Sequence, residues 1–133
     1  MAIVIDHSIV PSQNKEKSAE FYAEIFGLEN LGEQHGTPFY AVRVNDSTIL
    51  FFANSSDPDS PWAQGIHHYA FAMGNEIFYQ VFARIQAAGI PYGDNSAEPA
   101  NMKGPGTAPG ARGAGKSVYF KDPSENLLEI RTY

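Results

Sequence analysis

Few residues of this chain have the types and positions that chemistry needs. Glu129 is the one carboxylate in the mainly apolar run Leu127-Leu128-Glu129-Ile130. A carboxylate on a half-buried strand is costly unless it is paired, exposed or bound to a metal. The residues alone leave these three outcomes open. His7 and His68 stand far upstream, each inside an apolar, strand-like stretch, and they point toward the third. Ser117 to Arg131 itself reads as two strands joined at Asp122-Pro123-Ser124, where proline presets φ and Asp and Ser can bond back to the backbone.

Composition narrows the function classes. The 133 residues, 43% hydrophobic and 18% charged, suit one globular domain over 1–133. A formal charge of −6 with no basic cluster argues against nucleic acid or an anionic membrane surface as partner. There is no cysteine, which excludes disulfides, thiolate metal sites and cysteine nucleophiles. The start of the chain lacks a signal-peptide pattern, and no apolar run approaches a membrane span, so the expected compartment is the cytoplasm.

The elements that must position these residues follow in order. Ala2 to Val10 reads as a strand containing His7, ended by Pro11 to Asn14, with Asn14 as a helix N-cap. A helix from Lys15 to Phe26 buries Ala19, Tyr22, Ile25 and Phe26 and stops at Gly27. Two strands, Pro38–Val44 and Thr48–Ala53, flank the turn Asn45-Asp46-Ser47. After a polar connection the order restarts: a strand over Ile66–Met73 with His68 inside, then a helix with Phe78, Val81, Phe82 and Ile85 at helical spacing. Gly89 ends that helix. His7 lies 20 residues before Gly27 and His68 lies 21 before Gly89, so a strand–helix–strands unit occurs twice, at about 1–55 and 64–133. Two half-sheets, each backed by a helix, can curl around a shared cavity.

The residues Asp6-His7, Ser18 to Tyr22, Phe26-Gly27-Leu28, His67 to Phe71, Val118 to Pro123 and Leu128-Glu129-Ile130 span nearly the whole chain. Together they resemble the vicinal oxygen chelate superfamily of glyoxalase I, extradiol dioxygenases, methylmalonyl-CoA epimerase, fosfomycin resistance transferases and bleomycin resistance proteins. The resemblance implies an α+β fold of two βαβββ modules, forming a curled mixed sheet around a cavity with helices outside. Carried over by position, it implies His7, His68 and Glu129 as ligands of a divalent metal, Fe, Mn, Zn or Ni. Tyr119, ten residues before Glu129, then falls where related enzymes place a tyrosine that hydrogen-bonds a metal-bound oxygen. Three protein ligands leave coordination positions open for a substrate with vicinal oxygens. An extradiol-dioxygenase-like enzyme or a lyase is the expected class, working as a homodimer on a small molecule.

Departures from the family shape that expectation. Where four-ligand glyoxalases and epimerases place a further oxygen donor, this chain has Ile49-Leu50-Phe51-Phe52. Fosfomycin transferases need a hydroxyl two residues after the first histidine, where Ile9 stands here, and a later C-terminal arginine, whereas this sequence stops at Tyr133. Such a transferase is therefore disfavoured. The alternative is a metal-free drug- or small-molecule-binding cup, as in bleomycin-binding members. The Gly- and Pro-rich stretch from Gly93 to Lys116 reads as a long loop able to close over the cavity mouth. It carries Arg112 and Lys103, candidates with Phe51 for contacting substrate. His35 reads as solvated in a turn, His67 as pointing away from His68, and Trp62 as a hydrophobic lid.

Overall fold

In a computed structural model, residues 3–61 and 63–133 are described, and the chain divides into two compact units, Met1–His67 and His68–Tyr133. Trp62 and Ala2, the first residue of the expected opening strand, lie outside the described residues.

The first unit runs β1 (His7–Ser12), α1 (Lys15–Phe26), β2 (Glu29–Glu33), β3 (Tyr40–Arg43) and β4 (Ile49–Asn54). Its sheet has the order β1-β4-β3-β2, with β1 parallel to β4 and the other pairs antiparallel. The Asn14 side chain accepts the Lys17 N–H at 3.0 Å, which satisfies one orphan donor of the first turn of α1. Gly27 closes the helix at φ 67°, a left-handed conformation that costs a glycine nothing. The buried face carries Ala19, Tyr22, Ile25 and Phe26, and Tyr22 packs edge-on against Phe52 with ring centroids 4.8 Å apart. Strand β1 begins at His7 and continues through Pro11 and Ser12. The proline does not end it, because β1 is an edge strand of the first unit's sheet, where a proline is tolerated. Strand β2 was not expected: Glu29–Glu33 has neither apolar alternation nor β-branched residues, and it is held by antiparallel pairing to β3.

The second unit runs β5 (His68–Ala72), α2 (Asn75–Ala87), β6 (Tyr92–Gly93), β7 (Gly106–Gly110), β8 (Gly113–Lys121) and β9 (Leu127–Thr132). The order is β5-β9-β8-β6, with β7 also paired to β8. Helix α2 buries Phe78, Val81, Phe82 and Ile85, as its period requires. The β8–β9 turn uses Asp122, whose Oδ1 accepts from the backbone N–H of Ser124 at 2.8 Å and of Asn126 at 2.9 Å. Each unit thus carries a helix and a mixed sheet, of four strands in the first and five in the second, neither closed into a barrel, which is the α+β fold of two helix-backed modules expected from the sequence.

The stretch 93–116 is the main correction. Within it β7 and the first part of β8 form an antiparallel hairpin whose turn carries Ala111 and Arg112. Gly106, Gly110 and Gly115 mark close approaches. A methyl group on Gly110 would overlap the Arg131 guanidinium, one on Gly106 would strike the backbone of Asp94, and one on Gly115 would press on the Thr132 carbonyl. Glycine here lets backbone lie against neighbours that no side chain would admit.

A buried carboxylate beside a histidine

Glu129 lies on β9 directly opposite Tyr119 of β8 and beside Ala70 of β5, and is 4% exposed. Its oxygens divide the surroundings. Oε2 accepts from Ser117 Oγ at 2.6 Å and from Arg131 Nη1 at 2.6 Å. Oε1 faces His68 Nε2 at 3.3 Å. Of the three outcomes open for this carboxylate, pairing is thus present on one oxygen, while the other is turned to an imidazole.

The histidine's tautomer follows from its second nitrogen. Nδ1 stands 3.0 Å from the Leu127 carbonyl, which can only accept, so Nδ1 carries the proton. In the neutral ring Nε2 is then an acceptor, and it confronts a second acceptor, Glu129 Oε1. Two acceptors so placed call for a shared proton or a cation between them. A divalent ion with ligand bonds of about 2.0–2.2 Å places two of its ligands roughly 3–3.5 Å apart, so the pair fits one ion. Donors behind both ligands, Leu127 fixing the ring and Arg131 with Ser117 fixing the carboxylate, are the outer support that metal ligands require.

His7 opens β1 in the first unit. Its Nδ1 donates to Asp6 Oδ2 at 2.8 Å, again leaving Nε2 as an acceptor, and its ring packs on Phe51 with centroids 5.1 Å apart. Among the described residues no one unit gathers three His, Asp or Glu side chains into a ligand set. The structure therefore brings His68 and Glu129 together within the second unit and leaves His7 beside Asp6 and Phe51 in the first.

Tyr119 is 6% exposed and its ring lies nearly parallel to His68, centroids 6.4 Å apart and planes at 21°. Burial, then the Glu129 charge and its hydrogen bond, raises the phenol pKa above the ordinary tyrosine range, so the group keeps its proton at neutral pH.

A cavity of about 360 Å³ opens within the second unit, and His68, Glu129, Arg131, Arg112 and Tyr133 are among the residues lining it. Arg112, in the β7–β8 turn, stacks over the Tyr133 ring at 5.0 Å, and its backbone N–H donates to the Tyr133 hydroxyl at 3.2 Å. That N–H, opposed in part by burial and reinforced by Arg131, lowers the Tyr133 pKa. Lys103 does not line the cavity; it stands exposed in the segment before β7, where its backbone N–H bonds Asn101 Oδ1 at 2.9 Å. Phe51 stacks on Phe39 in the first unit, centroids 4.9 Å apart. His67 bonds the Gln64 carbonyl at 3.0 Å and His35 is exposed in a turn.

Sequence reasoning missed Ser117 and Arg131. Arg131 stands two residues after Glu129, hence on the same face of the strand, and Ser117 lies opposite Arg131 across the hairpin. Both signals were present in the strand period.

Known proteins share the fold. Structures named Oxidase ChaP-H2 and Oxidase ChaP-H1 are 28% and 30% identical to this chain. The first match covers 100% of this chain and 95% of that one, the second 99% and 97%, and both have a TM-score of 0.78. TnmS3, an antibiotic binding protein from Streptomyces sp. CB03234, is 22% identical over 99% of this chain and 98% of its own, TM-score 0.69, and shares the fold. Residues 4–130 match the family model described as Glyoxalase/Bleomycin resistance protein/Dioxygenase superfamily. Members of that superfamily bind small molecules, commonly use divalent metal ions and often form dimers, and they include both enzymes and binding proteins. The chain belongs to the glyoxalase/bleomycin resistance/dioxygenase superfamily.

Proposed function

We propose that this protein is a metal-dependent enzyme acting on a small molecule with two neighbouring oxygens, of the extradiol-dioxygenase or lyase type. The observation that carries the reading is the His68 Nε2–Glu129 Oε1 pair at 3.3 Å, two acceptors turned toward each other with their outer atoms tied back. His68 and Glu129 would hold the ion, Fe, Mn, Zn or Ni, with His7 as third ligand by its matching place in the first repeat. When bound, the ion supplies Lewis acidity toward a substrate oxygen. Ser117 and Arg131 keep Glu129 Oε2 engaged, so the carboxylate presents one oxygen. Tyr119, holding its proton, donates a hydrogen bond to the substrate oxygen nearest it. The oxidase names of structures 28% and 30% identical support an oxidative over a hydrolytic reaction. Ile5 and Ile66, 71% and 69% exposed and each two residues before His7 and His68, support a homodimer as the working form.

Metal analysis of protein purified without chelator, beside His68→Ala and His7→Ala, tests the reading. About one ion per chain, lost in both variants, is expected from a three-ligand site. A native protein that neither carries nor takes up Fe(II), Mn(II), Zn(II) or Ni(II) would overturn it. The half-exposed Phe39–Phe51 stack would then favour the second reading, a metal-free binder of flat molecules.

A further inference from the structure

Arg131 is a buried cation with five hydrogen-bond acceptors around it. It is 3% exposed, and its guanidinium reaches in two directions. Toward the sheet, Nη1 donates to Glu129 Oε2 at 2.6 Å and to Ser117 Oγ at 3.1 Å. Toward the hairpin, Nη1 donates to the Pro109 carbonyl at 3.2 Å, and Nη2 to those of Ala108 at 3.1 Å and Gly113 at 3.3 Å. Those three carbonyls bracket Ala111 and Arg112. The turn bearing Arg112 is therefore fastened to the carboxylate that faces His68 through one buried cation. A methyl group at Gly110 would displace this guanidinium, so the hairpin lies on it with no side chain between.

Arg112 itself has no carboxylate partner among the described residues, yet it is not adrift. It is held over the Tyr133 ring at the cavity that His68 and Glu129 also line, and Arg131 stacks on the same ring at 4.7 Å. In that cavity the Glu129 carboxylate is already engaged by Arg131, and no second acidic side chain is present to engage Arg112. A planar guanidinium pre-oriented on an aromatic face is suited to a carboxylate or phosphate oxygen pair.

We propose that the cavity takes a small anionic ligand whose carboxylate or phosphate is held by Arg112, and that Arg131 is the positioning residue that sets Arg112 at the required distance from the His68–Glu129 pair. This deepens the reading above, since it rests on that cavity being the substrate site, but it does not require a bound metal. The substrate class becomes a small molecule with vicinal oxygens at one end and an anionic group at the other.

The test uses chelator-treated full-length protein and two probes of one shape, benzoate and benzamide, titrated by NMR at about pH 8, where an ordinary histidine is neutral. Wild type is expected to bind benzoate about tenfold or more tighter than benzamide, the size of one charge-assisted contact. Arg112→Gln should abolish the preference. Arg131→Lys keeps the positive charge beside Glu129 but cannot span three carbonyls, so it should also lose the preference. Gly110→Ala, which keeps the arginine but displaces its guanidinium, should behave as Arg131→Lys does, and circular dichroism checks that each variant is folded. Equal binding of the two probes by wild type, or a preference that survives Arg112→Gln, would overturn the anion site. A preference that survives both Arg131→Lys and Gly110→Ala would overturn the positioning role. Failure of metal uptake with the benzoate preference intact would sink the metal reading and leave this one standing.

Discussion

The two units put the same strand register to opposite uses. His7 pairs with Ile49 as His68 pairs with Leu127, so Phe51 holds in the first unit the place that Glu129 holds in the second. The antiparallel neighbours extend the match. Ala41 stands for Tyr119, and by continuation Phe39 stands for Ser117 and Ala53 for Arg131. In the first unit these places carry a stacked aromatic pair beside a histidine, which needs no counter-charge. In the second they carry a buried carboxylate, a hydroxyl and a buried guanidinium, none of which is tolerable alone. The hairpin β7–β8 is the further consequence: it has no counterpart in the first sheet, and its carbonyls accept the donors that Glu129 and Ser117 leave over. Two changes of residue type in β9, at Glu129 and Arg131, thus come with an added strand.

Removing the cation tests this difference most severely. Arg131→Met leaves Glu129 buried without its partner, and should cost about 3–5 kcal/mol in urea unfolding. A cost near that of a surface pair would mean that the carboxylate is solvated after all. On the other side of the comparison, Phe51→Ala removes a half-buried ring from the aromatic stack. It should cost roughly 2 kcal/mol, below the range for fully buried phenylalanine, and leave metal uptake through His68 and Glu129 unchanged. Equal costs for the two variants would erase the distinction between a charged and an apolar use of one register.

The smallest expected effect is a pH dependence. Tyr119 has its folded pKa raised above 10.0, chiefly by burial and then by Glu129. For a group so raised, the folded state holds its proton more tightly than the unfolded chain, so its contribution is complete below the unfolded pKa and declines as pH rises through 10 and beyond. Tyr119→Phe should therefore lose less stability than wild type between neutral and strongly alkaline pH. Tyr133 shifts the other way and is common to both proteins, so it cancels in the comparison. Parallel alkaline profiles would place the Tyr119 phenol outside the influence of Glu129.

What was legible in the sequence follows the same division. The helices, their caps at Asn14 and Gly27 and the buried face of α2 are local features, and chain order exposes them. So is the turn at Asp122, whose side chain bonds its own backbone. The β7–β8 hairpin was hidden because Gly106-Thr107-Ala108-Pro109-Gly110 has no apolar alternation; it is fastened by the guanidinium of Arg131, remote in sequence, and Gly106, Gly110 and Gly115 serve close approach while Gly113 takes a positive φ. Strand β2 was hidden for a related reason, since pairing with β3 and not its own residue pattern makes it a strand. The pairing of Glu129 is legible in Arg131 two positions on, which the strand period puts on the same face.

The most direct test of the central claim is an Mn(II) titration followed by electron paramagnetic resonance on wild type and His68→Ala. His68 is half-exposed, so its removal leaves the fold intact. Loss of free-ion signal up to about one Mn(II) per wild-type chain, with no uptake by His68→Ala, is the result predicted for ligands of this kind. Full free-ion signal in the presence of wild type, or equal uptake by the variant, would contradict the account and leave the His68–Glu129 contact as a hydrogen-bonded pair sharing a proton.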